Sequence, residues 1–259
     1  TTTQFSSILD QFLSKQISKD EAEVTLKTLA LSTMEKKIDK AIANLVSKLP
    51  LAAMEENVNE MELCSRFIDP FLARLFDDLD NGIYLRWLDE TTLEAKESPD
   101  LSVTKSCDVK WATTLAYGEA KSSMHGDDHY AICKDLIKVA IFCKDALGNQ
   151  LFEGILGIQI IGRTVLIYRL TLPAPSIYTM IPLAAIKVPN SINDLPELVY
   201  KVPDILKVLD IFDRVCVGSK NPETIKRRSS PTLPTAKIQQ LFSLSKNRKR
   251  PCHIQLHHN

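Results

Sequence analysis

Three charged residues within a short span are the candidates for chemistry in this chain: Asp100, Glu119 and Lys121. Asp100 follows Pro99 in the run Ser98-Pro99-Asp100-Leu101-Ser102-Val103, and eighteen residues separate it from Glu119. Glu119 and Lys121 close the run Leu115-Ala116-Tyr117-Gly118-Glu119-Ala120-Lys121. Both runs read as short β-strands. Counting by two along the second puts Tyr117, Glu119 and Lys121 on one face and Ala116, Gly118 and Ala120 on the other. Phosphodiester hydrolysis calls for such a set. Two carboxylates supply hard oxygens for a divalent cation that keeps several of its own waters, the cation neutralises developing phosphate charge, and a nearby ammonium orients the attacking water.

The pattern Pro99-Asp100 followed by Glu119-Ala120-Lys121 resembles the signature of the PD-(D/E)XK nuclease superfamily, whose fold is restriction-endonuclease-like. The resemblance covers about residues 57–186 and rests on these residues and on an element order of αβββαβ. It implies Asp100 and Glu119 as metal ligands, the backbone carbonyl of Ala120 as a further ligand, and Lys121 as the water-side cation. It also implies a glutamate from the helix before the first strand. Glu60 and Glu62 both qualify there; Glu60 falls on the edge of the apolar face formed with Cys64, Phe67 and Phe71, so Glu60 is the choice. The implied cofactor is Mg²⁺, with Mn²⁺ as an alternative. The implied activity is hydrolysis of DNA, with RNA as the other substrate, by an endo- or exonuclease.

The charge distribution argues in the other direction. The net charge of the 259 residues is zero, but residues 218–259 carry nine Lys/Arg against one acid, leaving 23 against 31 in the body. Duplex affinity comes mainly from Lys and Arg displacing counterions, so an acidic body is a poor general phosphate binder. A second reading therefore stands beside the nuclease: a catalytically inactive nuclease-like domain that binds nucleic acid or a protein. A third is that the span 99–121 is coincidental and the domain assembles through its N-terminal helices.

The elements that must position the trio follow from periodicity. Residues 5–50 read as helical, with Ser18 and Glu21 as a capping box and Met34, Ile38, Ile42, Leu45, Val46 and Leu49 at helical spacing. A helix from about Asn57 to Phe76 is expected to kink or split at Pro70. Strands are expected at Ile83–Leu88, Pro99–Thr104 and about Thr113–Ser122, then a helix to about Leu147 opened by Asp127 or Asp128. That helix turns Lys134, Lys138 and Lys144 largely outward. A hairpin through Gly162-Arg163 follows, then a strand at about Ile177–Ile186 and a closing helix Leu195–Val217. Gln159, polar within a buried strand, needs a partner, either the Glu119–Lys121 group or backbone. Arg86 and Trp87 suggest phosphate contact and stacking, against pairing and core packing; Trp111 is a lid or a packing anchor.

The expected organisation is a helical extension at 1–52 that packs on the main domain or on a second copy of the protein, a nuclease-like α/β domain at 53–217 with a mixed sheet flanked by helices, and a disordered basic tail at 218–259. Basic clusters at 226–228 and 246–250 resemble a bipartite nuclear import signal. Six cysteines without paired spacing read as buried reduced thiols, and no run is long enough to span a membrane. His125, Asp127, Asp128 and His129 are weighed as an added ligand or proton shuttle against a capping cluster. Cys252, His253, His257 and His258 are weighed as a zinc site against polar scatter.

Overall fold

A computed structural model describes residues 1–53, 59–88, 98–126, 128–234, 236–238 and 240. The chain begins with three helices, α1 (Thr2–Leu13), α2 (Lys19–Lys27) and α3 (Thr33–Lys48). Ser18 and Ser32 each accept a hydrogen bond from the backbone N–H three residues on, and Glu21 and Glu35 bond back, so α2 and α3 both start with complete capping boxes. Their apolar faces do not stand apart from the rest of the protein. Phe5, Leu9, Ile38, Ile42 and Leu45 are fully buried and join one continuous core with the sheet and the closing helices.

Glu60–Phe76 is helical but not uniform: α4 (Glu60–Glu62) leads through a π-helical stretch at Leu63–Ile68 into α5 (Asp69–Phe76). Proline removes one backbone donor and crowds the preceding turn. Here Pro70 sits in the first turn of α5, where a missing N–H is harmless, and the strain is taken up by the wide turn before it.

Six strands form one sheet in sequential order: β1 (Ile83–Trp87), β2 (Leu101–Cys107), β3 (Lys110–Lys121), β4 (Ile155–Ile161), β5 (Thr164–Ala174) and β6 (Ile177–Lys187). All neighbours are antiparallel except β3 and β4. The parallel pair needs a crossover, and α6 (His129–Gln150) supplies it. All seven residues of β4 are buried. Gly162 takes a positive φ of 54° in the β4–β5 turn, as a two-residue hairpin demands. Asp128 caps α6 by accepting from the Ala131 N–H, while Asp127 lies outside the described residues.

Three expectations are corrected. The closing helix is two helices, α7 (Leu195–Val199) and α8 (Val202–Val215), because Pro203 occupies the first turn of α8 and the chain breaks at Tyr200–Lys201. Disorder does not begin at Gly218: α9 (Pro222–Arg228) buries Ile225, and the following segment is tied down by Lys144, which donates to the Ser230 carbonyl at 2.8 Å, and by the Tyr178 hydroxyl, which accepts the Ser230 N–H at 3.1 Å. The cysteines are unpaired among the described residues but not all buried, for Cys107 and Cys133 are exposed. The basic cluster 246–250 and the terminal Cys252 and histidines lie outside the described residues. No described helix is long and apolar enough to cross a membrane.

Candidate active site

The site forms where β2 and β3 leave their shared ladder beneath α6. Leu101 is opposite Gly118 in the antiparallel register, and the Asp100 N–H donates to the Gly118 carbonyl at 3.0 Å. One step further puts Asp100 opposite Glu119. Directly opposed residues in an antiparallel pair share a face, so both acids project from the same side of the sheet. One oxygen of Asp100 accepts the Ala120 N–H at 2.8 Å, which fixes the Asp100 carboxylate across the end of β3.

Gly118 allows this convergence. A Cβ at that position would lie 2.7 Å from the Ile158 carbonyl oxygen and 2.9 Å from Leu101 Cγ. Any side chain there would push β3 away from both neighbours, and Glu119 with it.

Glu119 is 2% exposed. The ammonium of Lys138 on α6 lies 2.8 Å from Glu119 Oε1, yet that oxygen accepts no aligned hydrogen bond. The ammonium therefore stands against the carboxylate as a charge partner whenever Glu119 is ionised. Burial raises the Glu119 carboxyl to about 8, the Asp100 charge pushes it the same way, and Lys138 opposes both. Lys121 donates to the Ala120 carbonyl at 3.3 Å and lies 3.7 Å from Asp135 Oδ2. Burial works against the charged form of Lys121, but Asp135, Glu60, Asp100 and Glu119 outweigh it and raise its pKa. Asp135 is 8% exposed and raised by burial, with Lys121 and Lys138 opposing.

Asp100, Glu119 and Lys121 thus meet on one face. Glu60 is exposed but acts electrostatically on Lys121 and on Cys64, whereas Glu62 pairs with Arg66 one turn on, at 2.9 Å. Gln159 stands beside Glu119 in the parallel ladder but donates to the Ile132 carbonyl of α6 at 2.7 Å, so it serves the packing of α6. Lys138 does not point outward as expected; α6 lies over this face and turns it onto Glu119.

Sequence reasoning missed Asp135. The positions Asp135 and Lys138 are three apart on one helix and so share a face. That spacing, an acid and a lysine on the side of α6 that also carries Ile132 and Val139, is the signal that would have found them.

The donors suit a hard divalent cation in one respect. Glu119 Oε1 and Asp135 Oδ2 are buried carboxylate oxygens, each facing a lysine ammonium, and a divalent cation that brings its own waters is the other kind of partner such oxygens take. No group of three or more His, Cys, Asp or Glu side chains in metal-ligating arrangement occurs among the described residues. A two-carboxylate set still fits Mg²⁺, which is usually held by one or two carboxylates with water and substrate phosphate completing its shell.

No family model matches this chain, and neither the curated proteins nor the solved structures contain a match.

Proposed function

We propose that this protein is a Mg²⁺-dependent nuclease of the PD-(D/E)XK type, acting on DNA, or RNA as the other substrate. The observation that carries the reading is the opposition of Asp100 and Glu119 across one strand pair, with Lys121 two residues further along the same face. The succession of α5, β1, β2, β3, α6 and β4 supports it by following the αβββαβ order. Asp100 and Glu119 would hold the cation, with the Ala120 carbonyl beside them, and Mn²⁺ is an alternative occupant. When bound, the cation supplies charge neutralisation at the phosphate and acidifies a water. Lys121 orients that water and stabilises the developing charge; Asp135 positions Lys121; Glu60 adds negative potential at the rim. The two basic clusters carry an accompanying proposal of nuclear import.

Cleavage of single-stranded, duplex and branched DNA and of RNA, with Mg²⁺, Mn²⁺ or EDTA, tests this. Metal-dependent products are expected from the wild type and from neither Asp100→Ala nor Lys121→Ala. Products that persist in Lys121→Ala would remove its assigned role.

One observation favours the inactive alternative: Lys138 already sits on Glu119, where a cation would have to displace it. Nucleic acid or a protein retained without cleavage under any metal would establish that reading.

A further inference from the structure

The face that carries Asp100 and Glu119 continues beyond them. Arg86 is opposite Ser102, and Ser102 is opposite Tyr117; period 2 therefore puts Arg86, Ser102 and Tyr117 on the same side of the sheet as Glu119. Tyr117 packs on Phe142 of α6, with ring centroids 5.6 Å apart. Beyond that contact a cavity of about 280 Å³ opens, lined among others by Arg86, Pro99, Ser102, Thr104, Trp111 and Tyr117.

Its walls are built for a flat, polar-edged ring. Trp111 is 52% exposed, with the Arg86 guanidinium 4.1 Å from its ring centroid and Tyr84 against it edge-on at 5.5 Å. Arg86 makes no ion pair with a described carboxylate; it lies on the indole and leaves donors turned to the cavity. Ser102 and Thr104 are 2% and 3% exposed and bond each other at 3.1 Å. Two hydroxyls sharing one bond still hold a second proton to donate. Trp87, by contrast, is engaged elsewhere: its indole N–H donates to Asp69 at 2.9 Å.

We propose that this cavity receives one unpaired nucleotide base of a nucleic-acid strand, stacked in the Arg86–Trp111 corner with Ser102 and Thr104 reading its edge. A base stacked and paired within a duplex has no free face to offer this corner, so the base received is an unpaired one. Ser102 is two residues from Asp100, and Tyr117 two from Glu119, about 7 Å along each strand, so the sugar-phosphate of the stacked base lies toward the two acids. The Arg86 and Trp111 stack supplies affinity that a body of negative net charge lacks. The proposal rests on the nuclease reading only for the direction of the strand; base capture itself is independent of cleavage.

The test is binding of end-labelled oligo-dT of about twelve nucleotides to the full chain in EDTA, with affinities of all variants followed by fluorescence anisotropy of the label and the wild type also by tryptophan fluorescence. The protein has two tryptophans, so the signal lost on Trp111→Ala is that of Trp111. The oligonucleotide should quench the wild type, and Trp111→Ala should weaken binding roughly 5- to 150-fold. Trp111→Phe, which keeps a stacking face, should recover most of the affinity. An abasic strand of equal charge, a blunt duplex and thymidine monophosphate should each bind wild type clearly less tightly than oligo-dT.

No quenching, or equal affinity of wild type and folded Trp111→Ala, overturns the site. Equal binding of the abasic strand overturns base recognition, equal binding of the duplex overturns the requirement for an unpaired base, and equal binding of the mononucleotide overturns the strand. Cleavage with Mg²⁺ on the same oligonucleotide, with Lys121→Ala as control, reads the nuclease separately. Base binding without cleavage sinks the nuclease alone; cleavage without a Trp111 effect sinks this site alone.

Discussion

Replacing Glu119 by Gln isolates the electrostatics of the site. Burial, with the Asp100 charge, raises the carboxyl from 4.5 to about 8. A raised carboxyl binds in the folded protein a proton that the unfolded chain has already released, so folding stability is greatest below about pH 4.5 and falls as pH rises through about 8. A tenfold change in proton affinity corresponds to about 1.4 kcal/mol. Carried from pH 5 to pH 8, one such proton amounts to about 3 to 4 kcal/mol, and structural relaxation around Lys138 lowers the expectation to about 2 to 3. The amide of the variant does not titrate.

The assay is urea unfolding of both proteins in EDTA at several pH values, taking the difference so that other titrating groups cancel. The variant should gain about 2 to 3 kcal/mol relative to wild type between pH 5 and pH 8, whatever fixed offset arises from leaving Lys138 without its carboxylate. A difference that stays constant over this range refutes the reasoning, since it would mean that Glu119 ionises normally. The same titration with Mg²⁺ checks the proposed cation role. A cation that prefers ionised Glu119 should flatten the wild-type slope and leave the variant's unchanged; a slope indifferent to Mg²⁺ removes Glu119 from the ligand set.

Further outcomes follow from particular contacts. Gly118→Ala forces a Cβ against the Ile158 carbonyl and Leu101 and should destabilise by about 1 to 3 kcal/mol in urea unfolding. Ser32→Ala removes the capping oxygen of α3 and should lose about 1 kcal/mol. Tyr178→Phe deletes the acceptor for the Ser230 N–H; hydrogen exchange at Ser230 should quicken several-fold while global stability changes by less than about 1.5 kcal/mol.

Local patterns revealed most of the elements. Alternation showed β3, the apolar runs around the Gly162 turn showed β4 and β5, and the Ser-x-x-Glu box at Ser18 marks a helix start that formed as capping rules require, while the matching box at Ser32 emerged with the structure. What stayed hidden depends on contacts distant in sequence. The tail from 218 to 234 reads as solvated from its charge, yet it is held by Ile225 burying among distant side chains and by Lys144 reaching across from α6. Pro203 was visible, but whether a proline bends a helix or opens a new one depends on where the preceding turn is packed, and here α7 ends before it.

The site shows the same division. Register along β3 is local, so Glu119 and Lys121 were legible as neighbours, while Asp100 was named through the Pro-Asp resemblance, the strand pairing that brings it opposite Glu119 being non-local. Lys138 and Asp135 enter from a crossover helix whose rotation is set by Val139, Cys143 and Leu147 packing into the sheet. That rotation has a chemical result. Each buried acid of the cluster faces an ammonium, Glu119 with Lys138 and Asp135 with Lys121, which offsets the charge of these two acids but not that of Asp100. A divalent cation entering between Asp100 and Glu119 would restore the charge that protonation of Glu119 removes, and it would release Lys138 from its ion pair. Lys138 would then be an uncommitted cation on the same face as Lys121, where a phosphate would approach. With such a cation bound, the acidic body and a phosphate substrate would be compatible at this one place, because Lys138, which Glu119 holds in its absence, would become available to phosphate.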